Sequence, residues 1–167
     1  MIVAHATHVT PLPARLWIAI AAIAGLLGAL AMNVPMRGLA EGYTPAIVAA
    51  SLLSGSLPST VSRRTAVVTH HAVGPVAGLL YVGCAIALDA ILPPVSRTAG
   101  LSLSAHLVSV GLVSAFVYAL FSSVVLPRYG GAARDRMPTV RRHWLASTAT
   151  FGVTLAVAVP LLATTVW

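Results

Sequence analysis

No lysine occurs in this chain, and aspartate and glutamate together number only 3 among 167 residues. Charged residues make up 8% of the sequence, against about 25% in soluble domains. So few charges, spread along the whole length, exclude an ordinary water-soluble globule and a disordered tail. A single cysteine, Cys84, excludes an internal disulfide, and its place within an apolar run suits a thiol acting as a small hydrophobe. The sequence has no G-x-S-x-G elbow, no Walker loop and no histidine pair at i and i+4 with a carboxylate partner. The usual nucleophilic, phosphate-binding and zinc chemistries therefore have no signature here, and no enzyme is expected.

What the chain does have is 58% hydrophobic residues, with a mean hydropathy of +0.93. A bilayer core about 30 Å thick needs roughly 20 apolar residues at 1.5 Å each. Four runs qualify: Leu16 to Met36, Thr65 to Leu88 with an extension to Leu92, Leu101 to Leu126, and Trp144 to Trp167. Without alternating ten-residue strands a barrel is excluded. The expected fold is an all-α integral membrane protein, a four-transmembrane-helix bundle forming a single domain over 1–167. Leu16 to Leu30, overlapping Ala29-Leu30-Ala31, imitates a signal peptide, but the run is long enough to span and is read as the first span. Trp17, Trp144 and Trp167 lie at the ends of their runs and are expected at head-group level.

The net charge of +7 comes entirely from ten arginines. Eight lie in the connections after the first and third runs and two, Arg15 and Arg97, on the other side, which places both termini outside a cytoplasmic membrane. The excess is thereby explained by topology, with the bilayer and no nucleic acid as partner. The first connection contains an apolar stretch, Tyr43 to Leu57, too short to span. It is expected to form a short interfacial or re-entrant helix between spans one and two, capped by Thr44 or entering the bilayer. The segment Arg128 to Arg142 reads as a solvated loop able to touch anionic head groups.

Polar residues inside spans cost free energy that something must offset. In the second span His71 and Asp89 share one angular position at 100° per residue, with Gly74, Gly78, Tyr81 and Ala85 within about 80° of it. Gly74 and Gly78 suit a small-xxx-small helix contact. The third span is expected to bury Ser104, Gly111, Ala115, Tyr118 and Ser122 on one face. Because only Pro93 to Gly100 join these spans, Asp89 and His106, each roughly 5 to 8 Å inside its helix end, are expected to pair, with Arg97 as the rival partner of Asp89. His5 and His8 precede the first run. His70, His71 and His143 are the histidines a haem or metal site would use, but their spacing favours neither, and no cofactor is expected.

The segment Ala24 to Tyr81 resembles the YagU-like family of small prokaryotic inner-membrane proteins. The likeness rests on the Gly25 to Gly28 helix ending in Ala31-Met32, a proline-containing connection, and His71 with Gly74, Gly78 and Tyr81. It implies about four spans in a cytoplasmic membrane and supplies no catalytic residue. The function expected is a small transporter-like or accessory membrane subunit, as a homo-oligomer or within a larger complex. The alternative is a histidine-liganded haem or metal redox protein.

Overall fold

The computed structural model describes residues 12–167, so His5 and His8 lie outside the described residues. Four long helices dominate: α1 (Ala14–Gly38), α3 (Arg63–Asp89), α4 (Leu103–Ala119) and α6 (Met137–Val166). A short α2 (Thr44–Ser54) follows α1, and α4 runs through a π-turn, Leu120–Val125, into α5 (Leu126–Tyr129). α1 packs on α3 and α6, and α4 closes the ring against the same two helices. The result is an all-α bundle with four helical segments long and apolar enough to cross a membrane.

Burial follows helical periodicity. α6 turns Val140, Trp144, Ser147, Thr148, Phe151, Leu155, Val159 and Ala163 inward, a 3.6-residue stripe. The α1–α3 crossing is made of small residues on both sides. A Cβ at Gly25 would stand 2.9 Å from the Gly78 nitrogen, one at Gly74 would stand 2.7 Å from Ala29 Cβ, and one at Gly78 would collide with the Ala21 carbonyl. The small-xxx-small reading of Gly74 and Gly78 therefore describes this contact.

Gly111 does not join such a contact. It is exposed, and a Cβ there would meet nothing within 4 Å. Ala115 is exposed too, and α4 instead buries Ala105, His106, Ser109, Val110 and Val113. The close approach on this helix is made by Ser114, whose hydroxyl would lie 2.6 Å from a Cβ at Gly152. A glycine marks an interface only when a partner backbone faces it, and Gly111 lies about 140° from the buried His106.

Boundaries also differ from expectation. Arg128 to Arg142 is not a loop but α5, a 3-10 turn over Gly131–Arg136 and the first turns of α6. Because α6 starts at Met137, Trp144 lies two turns inside it. It is buried 5.3 Å from the Phe121 ring, with Nε1 donating to the Val117 carbonyl at 3.4 Å, and is no head-group anchor. The second long helix ends at Asp89, short of Leu92, and α4 starts at Leu103. Between them Arg97–Thr98 pairs with Leu101–Ser102 in a small hairpin, closed by Ala99 (φ 49°) and Gly100 (φ 77°), which matches a two-residue turn with both central residues left-handed.

The π-turn has a chemical cause. Pro127 has no N–H to offer the carbonyls one turn before it. Leu126 N–H bonds to the Phe121 carbonyl, five residues back, so Ser122 O has no backbone donor within the helix. Arg141 supplies one, with Nε at 3.1 Å and Nη2 at 2.9 Å from Ser122 O. Replacing Arg141 with methionine keeps the aliphatic stem but orphans this carbonyl. It should cost about 1–3 kcal/mol in unfolding free energy, measured by denaturation in detergent.

The short helix α2 forms where a re-entrant or interfacial segment is expected, and it packs on α3. Gly55 at φ 65° ends it in the left-handed conformation. Thr44 does not cap it. The Thr44 hydroxyl donates to Glu41 Oε2 at 2.6 Å, and the helix N-terminus has no side-chain cap.

Candidate functional site

Two polar clusters occupy the bundle. The inner one joins α3, α4 and α6. Tyr81 Oη lies 2.7 Å from His106 Nδ1, the rings meet edge to face, and His106 Nε2 lies 3.1 Å from the Ala156 carbonyl. A carbonyl only accepts, so Nε2 carries the proton, and Nδ1 accepts from the Tyr81 hydroxyl. Ala156 O is available because Pro160, four residues on, has no N–H to close the helical bond. Both residues are essentially fully buried.

This geometry overturns the expected pairing of Asp89 with His106. Asp89 takes its rival partner, accepting from Arg97 Nη2 at 3.0 Å and Nη1 at 3.3 Å, on an exposed edge. Asp89 and His106 would meet only if the two helix ends were level. The hairpin instead lets α4 begin below the end of α3, so that His106 meets Tyr81, two turns or about 12 Å before Asp89. The substitutions Asp89→Asn and His106→Gln should therefore lower thermal stability additively, and a double-mutant cycle measures this.

The second cluster lies where the end of α1, α2 and the starts of α3 and α6 meet. Asn33, inside the first apolar run, is its hub. Asn33 Nδ2 lies 2.9 Å from His71 Nε2, and the Tyr43 hydroxyl donates to Asn33 Oδ1 at 3.2 Å. His71 Nδ1 sits 2.8 Å from the Val67 carbonyl, so Nδ1 bears the proton and Nε2 accepts from Asn33. His70 donates from Nε2 to the Ala29 carbonyl of α1 at 3.0 Å. Arg63 stacks its guanidinium 4.7 Å from the Tyr43 ring centroid.

Nearby, His143 Nδ1 accepts from the Glu41 N–H at 3.2 Å, and Glu41 forms an ion pair with Arg136. Burial pushes the Glu41 carboxyl up, but hydrogen bonds from Thr44 and Arg136 and the guanidinium charge outweigh it and hold the group below its ordinary 4.5. A depressed folded-state pKa contributes stability fully above the unfolded value. That contribution disappears as pH falls from about 4.5 through the lowered folded pKa. A Glu41→Gln variant should thus lose less Tm than the parent chain as pH falls below about 5.

The structure scatters the sequence-predicted candidates. Tyr81 and His106 meet, His71 joins the second cluster, and Asp89 stays at the hairpin. Tyr118 is half-buried against the core without a hydrogen bond to either cluster. His70 and His71 stand in edge contact at 5.2 Å, while His143 bonds to the α1–α2 connection. Among the described residues no three histidine, cysteine, aspartate or glutamate side chains gather as a metal site. Sequence reasoning missed Asn33 and Tyr43, although the chain's one asparagine within an apolar run was a visible signal.

Among the described residues a pocket of ≈ 80 Å³ lies beside Tyr81, Asp89 and Ser102, and one of ≈ 60 Å³ beside His70, Trp144 and Phe151. The larger spaces are open grooves at the arginine-rich end, of ≈ 400 Å³ between α2 and α5 and ≈ 700 Å³ between α1, α2 and α3. No protein-family model, curated protein or solved structure matches the chain.

Proposed function

We propose that the chain is a multi-pass protein of the cytoplasmic membrane, acting as a non-enzymatic accessory subunit, with both termini outside and the eight-arginine end inside. The observation that carries the membrane placement is the outward face of the bundle. Val34 and Val68 are 77% and 62% exposed, and Leu26, Leu30, Val76, Leu107, Leu112, Phe116, Val153, Val157 and Leu161 also face outward. An apolar surface on every side of a bundle calls for lipid around it. The likeness to the YagU-like family supports the same placement.

The accessory role is supported by how the buried polar groups are used. His70 bonds to the Ala29 carbonyl, His71 to Asn33, Tyr81 to His106 and His106 to the Ala156 carbonyl, each across two helices, which is the work of holding helices together. A bundle of four helices is small for a complete secondary transporter, so transport would call for a path between copies or partners. The haem or metal alternative would require His71 to give up its Asn33 hydrogen bond at Nε2, while Nδ1 kept the Val67 carbonyl.

Vesicles reconstituted with the purified protein should hold an imposed proton gradient as long as empty vesicles, and the sample should be colourless. Faster decay of the gradient would replace the accessory role with a conduit. A Soret band would replace it with the haem reading.

A further inference from the structure

We propose that the ≈ 700 Å³ groove between the end of α1 and the starts of α2 and α3 binds the phosphate group of an anionic membrane lipid. The inference rests on the membrane placement proposed above. Arg37 and Arg63 line the groove beside Leu39, Ile47 and Val61. Cationic groups beside aliphatic side chains match a phosphate carrying acyl chains better than a free anion. Val34, one turn back on α1, continues the apolar surface outward.

Charge balance demands an external partner. Ten guanidiniums face three carboxylates, leaving seven with no acidic partner anywhere in the chain. The two ion pairs among the described residues take Arg97 and Arg136, and neither Arg37 nor Arg63 forms one. Glu41, the acid nearest in sequence to Arg37, is already held by Arg136 and Thr44.

Arg63 is also oriented in advance. Its guanidinium stacks on the Tyr43 ring, and that ring is fixed by its hydroxyl bond to Asn33, itself tied to His71. A planar fork held by an aromatic face loses less freedom on meeting a phosphate than a mobile side chain does. The half-buried polar network of the second cluster thus supports the groove.

The test incubates the full chain in detergent micelles with equal amounts of phosphatidylglycerol and phosphatidylcholine, and weighs the lipid retained after washing. Phosphatidylglycerol should be enriched. At about fivefold per arginine, Arg37→Gln with Arg63→Gln should lower its retention about twenty-five-fold. Arg15→Gln with Arg64→Gln removes the same charge outside the groove and should leave retention nearly unchanged. Tyr43→Leu keeps both arginines but frees Arg63, and should lower retention severalfold.

Equal losses in the two double variants, or equal retention of the two lipids, would overturn the proposal. Displacement of the lipid by millimolar inorganic phosphate would assign the groove to a free anion instead. Extraction of the chain from membranes by alkaline carbonate would refute the placement itself, whereas a failed lipid assay on a carbonate-resistant chain refutes only the groove.

Discussion

Replacing Gly78 with valine should destabilise the bundle by about 3 kcal/mol or more, the upper end for overpacking a tight contact. The reason is the partner atom. A Cβ at Gly78 meets the carbonyl of Ala21, which is backbone and cannot swing aside. The two helices would have to separate, opening the contacts of Gly25 and Ala29 with Gly74 as well. Thermal unfolding in detergent measures the loss. Gly83→Ala and Gly111→Ala are the controls, since a Cβ at either meets nothing within 4 Å. Each should be neutral or gain up to about 1 kcal/mol from helix propensity. Equal losses at all three glycines would mean that α1 and α3 do not cross here.

His106→Leu should cost about 2–4 kcal/mol, because it strands two buried groups, the Tyr81 hydroxyl and the Ala156 carbonyl. The account makes a sharper demand on Pro160. With Pro160→Ala, residue 160 regains an N–H and closes the helical bond to Ala156 O. In that background His106→Leu strands only the Tyr81 hydroxyl and should cost at least about 1 kcal/mol less. Purely additive losses would show that the histidine does not serve the carbonyl freed by the proline.

These residues also mark how far the sequence could be read. The four long helices were legible because apolar runs of spanning length leave few alternatives. Gly74 and Gly78 were legible because their spacing puts two gaps on one helix face, and α1 offers Gly25 and Ala29 to match. Gly111 misled because a single helix cannot reveal which of its faces has a partner. Asp89 and His106 misled because matching depth fixes one coordinate only. With the hairpin through Ala99 and Gly100 joining the helices, His106 meets Tyr81, two turns before Asp89. The Arg128 to Arg142 segment read as a loop on its arginines and glycines, yet arginine is a good helix former and Pro138 sits in the first turn of α6, where its missing N–H costs nothing. Tyr81 and His106 were both singled out, but the carbonyl that fixes the His106 tautomer is one that Pro160 frees on a third helix. That relation is written in the sequence only once the helices are assembled.

The most direct test of the membrane placement is cysteine accessibility in intact cells on a Cys84→Ala background. Thr98, Ser59 and Ala132 are exposed, the first in the hairpin and the others at the arginine-rich end. The account predicts that a membrane-impermeant thiol reagent labels Thr98→Cys from outside, and labels Ser59→Cys and Ala132→Cys only after the membrane is opened. Labelling of Ser59→Cys or Ala132→Cys in intact cells would contradict it.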